Sequence, residues 1–200
     1  MKKIAISILT FLMTCCLVAN AQDLNRTDSQ GRRQGLWMGY HPNGQKRYEG
    51  NFKNDKCQGT FSYYDENGVL KATNTFDKSG TKALNKTYAP NGTIIATGYY
   101  VNQKKEGEWR FFSEDGTLIA VEEYQEGLAH GLSKYYFETG VLMSERQYVN
   151  DQMEGPAKNY YPSGALKEEG VFHQDKKSGI WKTYNEDGDE ISSENYSQPD

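Results

Sequence analysis

The chain has 200 residues, enough for one large domain or two small ones. Its 23 Lys and Arg stand against 27 Asp and Glu, a net charge of −4. That balance argues against a nucleic-acid ligand, because phosphate backbones are bound by cationic surfaces. Only 36% of residues are apolar, too few for a thick core, yet 13% are aromatic and Tyr alone counts 15, which excludes a disordered chain.

Residues 1–21 read as a signal peptide. Lys2 and Lys3 form a short basic region, Ile4 to Val18 is an apolar run, and Ala19-Asn20-Ala21 places small residues at −3 and −1 before a cut at Gln22. The run is too short to span a membrane, and nothing after it is apolar enough to do so. An uncleaved anchor and a lipoprotein are the weaker readings; Thr14-Cys15 and Cys15-Cys16 are poor matches to a lipidation site. Without Lys2 and Lys3, 21 basic residues face 27 acidic ones, a net charge of −6. One cysteine, Cys57, is left, so no internal disulfide can form. The expected location is the periplasm, the cell surface or the medium.

Residues 22–34 read as an N-terminal cap with a turn at Gly31. From residue 35 to 200 the chain is one repeat written seven times. Rows of 24 begin at Gly35, Gly59, Ala83, Gly107, Gly131, Gly155 and Gly179. Position ten is glycine in every row: Gly44, Gly68, Gly92, Gly116, Gly140, Gly164 and Gly188. With glycine a tenth of the chain, chance agreement is on the order of 10⁻⁷. Position six is always aromatic (Tyr40, Tyr64, Tyr88, Phe112, Tyr136, Tyr160, Tyr184), as is position eighteen (Phe52, Phe76, Tyr100, Tyr124, Tyr148, Phe172, Tyr196). Position three carries Trp37, Phe61, Trp109 and Trp181, and position twelve is Leu or Ile in five rows.

Each row predicts a β-hairpin. Pro or Glu, a small polar residue, then glycine at positions eight to ten fits a type I turn closed by a left-handed glycine. A second turn falls near positions twenty and twenty-one, as in Asn54-Asp55 and Asn150-Asp151. The segments between are rich in Tyr, Thr, Val and Ile and have no helical period. The fold class expected is all-β: an elongated, single-layer antiparallel meander of fourteen strands, about 65 Å long at about 4.8 Å per strand. Across the first turn, position six pairs with position twelve. Alternation then puts six, twelve and eighteen on one face, and position three on the other unless a bulge intervenes. The last strand is expected to leave an open edge.

The pattern Gly-x-Trp-x-x-Tyr-x-x-Asn-Gly-x-Leu, followed by an aromatic and an Asn-Asp or Asn-Gly turn, resembles the MORN repeats, and most of all their bacterial variant. Gly107 to Leu118 is the fullest match and Gly179 to Gly188 the next; the likeness runs over residues 35–200. Ala83 and Asn85, Ser133 and Ala157 depart from it at positions one and three. The resemblance implies a meander of hairpins and a scaffold for protein interaction near membranes. Many bacterial members are labelled the antitoxin of a toxin–antitoxin pair, a role that would not require an export signal.

No enzyme is expected. His41, His130 and His173 occupy different repeat positions, roughly 35 Å and 17 Å apart in a linear stack, so they can form neither a metal site nor a catalytic group. No cofactor is implied. Cys57 has no histidine near it in sequence, and the turn acids, Asp187-Gly188-Asp189 included, lack a full calcium loop. The rings at positions six and eighteen are read as packing. Those at position three, Trp37, Trp109, Trp181 and Phe61, are the candidate binding residues because alternation places them on the opposite face. The expected function is a non-enzymatic exported scaffold for a protein partner. The alternatives are a wall- or glycan-binding array using exposed rings and an antitoxin- or immunity-type binder. Neither nucleic acid nor, after cleavage, membrane contact is expected.

Overall fold

The computed structural model describes residues 24–196; the signal segment and residues 197–200 lie outside them. The described residues form one antiparallel sheet in which the strands pair in sequence order, except that Leu128–Ala129 lies off the path and pairs only with Leu118–Gln125. Sixteen strands are present where fourteen were expected. Arg26–Thr27 pairs with Arg33 and Gln34 and adds one. His130 splits another into Leu128–Ala129 and Gly131–Tyr136.

The first turns follow the sequence. In each repeat the position-ten glycine has φ between +80° and +91° and its N–H closes onto the residue three before it, as Gly44 does onto His41 at 2.9 Å. Position six faces position twelve across the hairpin, as Tyr64 faces Leu70 and Tyr160 faces Leu166. The second turns are two residues long and left-handed in most repeats, Asn54 at φ +52° and Asp55 at +64°, which matches the twist of the flanking strands.

The faces differ from the alternation expected. In all seven hairpins position five pairs with fourteen and six with twelve, so position thirteen is bulged out of register, as Arg47 and Met143 are. The bulge reverses the alternation beyond it. Position eighteen therefore leaves the face of positions six and twelve and joins position three. Trp37 stands edge-on to Phe52, Phe61 lies between Phe52 and Phe76, and Trp109 lies between Tyr100 and Tyr124, with centroids 5.0–6.4 Å apart. Position six keeps to the other face, where the Tyr64, Tyr160 and Tyr184 hydroxyls donate to Glu49, Glu145 and Glu169 of the preceding repeat.

A second bulge explains the glycine that opens most rows. Glu49 pairs with Ser62 and Asn51 with Gln58, so the incoming strand carries two extra residues, and Gly59 there has φ +65°. The same two-residue excess recurs at Gly107, Gly155 and Gly179. Repeat three lacks it. There the turn spans Asp77 to Lys82, Gly80 takes the left-handed position, and Phe76 to Ala72 pair evenly with Ala83 to Thr87. The two residues have moved from bulge to turn. The row keeps its length, and position one no longer needs glycine, which is why Ala83 fits.

Candidate functional site

The four candidate rings were expected on an accessible face. The structure instead makes position three the core. Trp109 is 2% exposed, and Phe61 and Trp181 are 3%. Trp37, in the first repeat, is half-buried. Burial of each large ring stabilises by about 1.5–3 kcal/mol. Trp109 and Trp181 donate Nε1–H to the carbonyls of Tyr99 and Val171 at 3.1 and 3.0 Å, so their polar atoms are satisfied as well. Trp109 and Trp181 offer no flat face to a sugar or a partner.

Three sequence positions build each ring site, and they vary together. The ring of one repeat lies over position sixteen of the repeat before it. A Cβ on Gly50, Gly98 or Gly170 would come within 2.3 Å of Phe61, Trp109 or Trp181. Where position three is small, position sixteen is large: Asn74 precedes Asn85, Glu122 precedes Ser133, and Arg146 precedes Ala157. Arg146 fills its space by donating to the carbonyls of Glu145 and Lys158 and to Asn159. Position twenty-three is the third member. It is basic before each Trp: Arg33, Lys105 and Lys177. Their cationic heads lie 5.9, 4.7 and 4.0 Å from the Trp37, Trp109 and Trp181 centroids. Burial pushes the Lys105 ammonium below its ordinary pKa. Cys57 takes the same position before Phe61; it is half-buried, and burial pushes its thiol up, which holds it protonated.

The polar candidates serve the backbone. His41 Nε2 meets the Tyr64 carbonyl at 2.9 Å, and His173 Nδ1 meets Glu154 at 2.8 Å. His130 Nδ1 is a buried atom without a partner. Asp55, Asp151 and Asp175 each accept a backbone N–H from the preceding repeat, at Arg33, Ala129 and Met153. Asp189 and Asn185 close their own turn. Among the described residues no group of three His, Cys, Asp or Glu could hold a metal ion.

Two surface features were not found from the sequence. The first is a cleft of about 860 Å³ on the ring face over repeats one to three, with Asn74 and Asn85 in its wall. The second is a strip on the opposite face of repeats five to seven. Leu132, Val171 and Ile180 are 40%, 45% and 60% exposed there, and Pro156 pairs directly with Val171. Lys134, Lys158 and Lys182 flank the strip at position four, alternating with Glu145 and Glu169. The signal for the cleft was the departure of repeat three from the pattern; the signal for the strip was the apolar residue at position two.

Among curated proteins none matches this chain. Of the solved structures, a point mutant of S. aureus TarM in complex with fondaparinux, alpha-GlcNAc-glycerol and UDP is 15% identical over 47% of this chain and 19% of its own, with a TM-score of 0.36. The Photorhabdus luminescens Tc holotoxin pore is 16% identical over 81% of this chain and 11% of its own, with a TM-score of 0.21. The chain thus spans about a fifth of the first protein and about a tenth of the second. The family model of the MORN repeat variant matches residues 33–54, 58–78, 105–126, 129–150 and 153–174. It passes over repeats three and seven. Those five segments cover more than half of the 200 residues and coincide with the hairpins described above, so the chain belongs to the MORN repeat variant family.

Proposed function

We propose that this protein is a non-enzymatic, exported scaffold that binds a protein partner in the cell envelope. The observation that carries the reading is the strip of Leu132, Pro156, Val171 and Ile180. Pro156, Val171 and Ile180 stand on three consecutive strands, with Leu132 two strands from Pro156 across Gln147; 40–60% exposed at Leu132, Val171 and Ile180 and edged by alternating Lys and Glu, they have the make-up of a protein contact surface. The N-terminal basic and apolar segment supports export. The buried position-three rings, Phe61, Trp109 and Trp181, do not form this strip, since each is packed onto the repeat before it.

The test is a crosslinking pull-down from the native envelope with the wild-type chain and a Leu132→Ser, Val171→Thr, Ile180→Ser variant. All three side chains point away from the core, so the variant keeps its circular dichroism spectrum. The reading predicts one protein recovered by the wild type and lost by the variant. Equal recovery by both would show that the partner binds elsewhere, and recovery of wall or glycan material alone would replace the scaffold reading.

A further inference from the structure

Repeat three departs from the pattern in three ways, and all of them meet at one place. Its position three is Asn85 instead of a ring, the residue beneath is Asn74 instead of glycine, and the turn before it is longer. With no ring to fill it, the face opens into the cleft of about 860 Å³ over repeats one to three. That size suits a small molecule of several rings.

The lining is chemically selective. Among the described residues its walls carry one formal charge, Arg33, and that guanidinium is already held by Asp55 at 2.9 Å and stacked 3.9 Å over Phe52. Among those same residues no carboxylate lines the cleft to attract a cation. Four amide side chains line it, Asn74, Asn85, Asn102 and Gln103, and six rings stand beside them, Tyr48, Phe52, Phe61, Tyr63, Phe76 and Tyr100. On a sheet face the backbone N–H and C=O groups are spent in the ladders, so a ligand here meets mostly side chains, with turn backbone at Gly80. An extended peptide would therefore find few of the main-chain partners it needs.

The buried amides are ordered into a chain. Thr87 Oγ1 donates to Asn85 Oδ1 at 3.1 Å, and Asn85 Nδ2 donates to Asn74 Oδ1 at 2.8 Å. The Tyr63 phenol stands in the same wall as Asn74. A phenol both donates and accepts, so Tyr63 offers the cleft a hydroxyl beside the two amides. Neutral amides, a phenol hydroxyl and ring faces together are the donor set that recognises uncharged, hydroxyl-rich rings.

We propose that this cleft is a binding site for a neutral oligosaccharide, held by hydrogen bonds to Tyr63, Asn102 and Gln103 and packed against the flanking rings. The site is independent of the strip on the other face, so either can fail without the other. Cys57 lines the same cleft and supplies the reporter. The full chain is titrated to millimolar concentration with chitotriose, cellotriose and maltotriose, and alkylation of Cys57 is followed by mass spectrometry of its own peptide. The proposal expects at least one trisaccharide to slow alkylation of Cys57. Tyr63→Phe, which keeps the ring and removes only the hydroxyl, should weaken that protection about tenfold with an unchanged circular dichroism spectrum. Gln103→Gly, which suits the left-handed turn at φ +68°, should weaken it as well. Failure of all three sugars to slow alkylation overturns the proposal, as does full protection retained in both variants.

Discussion

Gly98→Ala is the sharpest test of how the repeats pack. Gly98 does not sit in left-handed backbone, so alanine would normally be welcome there and even stabilise the strand by about 0.4–1 kcal/mol. The structure predicts the opposite. The new Cβ would lie 2.3 Å from Trp109 Cδ2 and 2.5 Å from its Cγ and Cε2, where carbon atoms need about 3.5–4.0 Å. The indole cannot retreat, being enclosed by Tyr100, Phe111 and Tyr124 and tied to the Tyr99 carbonyl. Overpacking of this kind costs about 1–3 kcal/mol. Trp109→Ala should cost about 3–5 kcal/mol by itself. Once the ring is gone the clash is gone, so the double variant should be no less stable than Trp109→Ala alone. Urea unfolding followed by circular dichroism gives all three values. Additive costs, or a Gly98→Ala variant as stable as wild type, would refute the proposed packing of position three onto position sixteen.

Three more outcomes follow from named contacts. Gly107→Ala forces a side chain to φ +68° and should cost about 1 kcal/mol or more, whereas the matching Ala83→Gly, in regular strand, should cost only about 0.5–1 kcal/mol; urea midpoints decide. Burial and the Glu145 carboxylate push the Tyr160 phenol up to about 12, so its contribution to stability is complete below pH 10 and is lost as pH rises from there through 12. Tyr160→Phe should remove that part of the alkaline transition, read as stability against pH. Lys105→Met keeps the stem over Trp109 and removes the ammonium, 4.3 Å from the Tyr124 centroid; it should cost about 0.5–2 kcal/mol by thermal unfolding.

The period, both turns and the pairing of position six with twelve were legible because each rests on a residue type that the backbone demands. Glycine at φ between +80° and +91° and Asn-Asp in a left-handed turn cannot easily be replaced. The faces were not legible beyond the first turn. The bulge at position thirteen holds Arg47, Lys71, Ile95 and Met143 in different repeats, and no residue type announces it. One missed residue there turned Phe52 and its equivalents to the wrong side, and with them the expectation that the tryptophans are exposed. The glycine opening most rows did carry a signal, but it read as a row boundary and not as the second bulge. The partnership of positions three, sixteen and twenty-three was present in the letters. It becomes visible only when the register shows that a ring lies over the preceding repeat.

The central claim is that Trp109 and Trp181 at position three are core. Acrylamide quenching of a Trp37→Phe variant tests it most directly, because only Trp109 and Trp181 then emit. Two indoles at 2% and 3% exposure should give blue-shifted emission, with quenching far weaker than that of free tryptophan. Red-shifted emission quenched as readily as an exposed indole would contradict the account and return those rings to the surface.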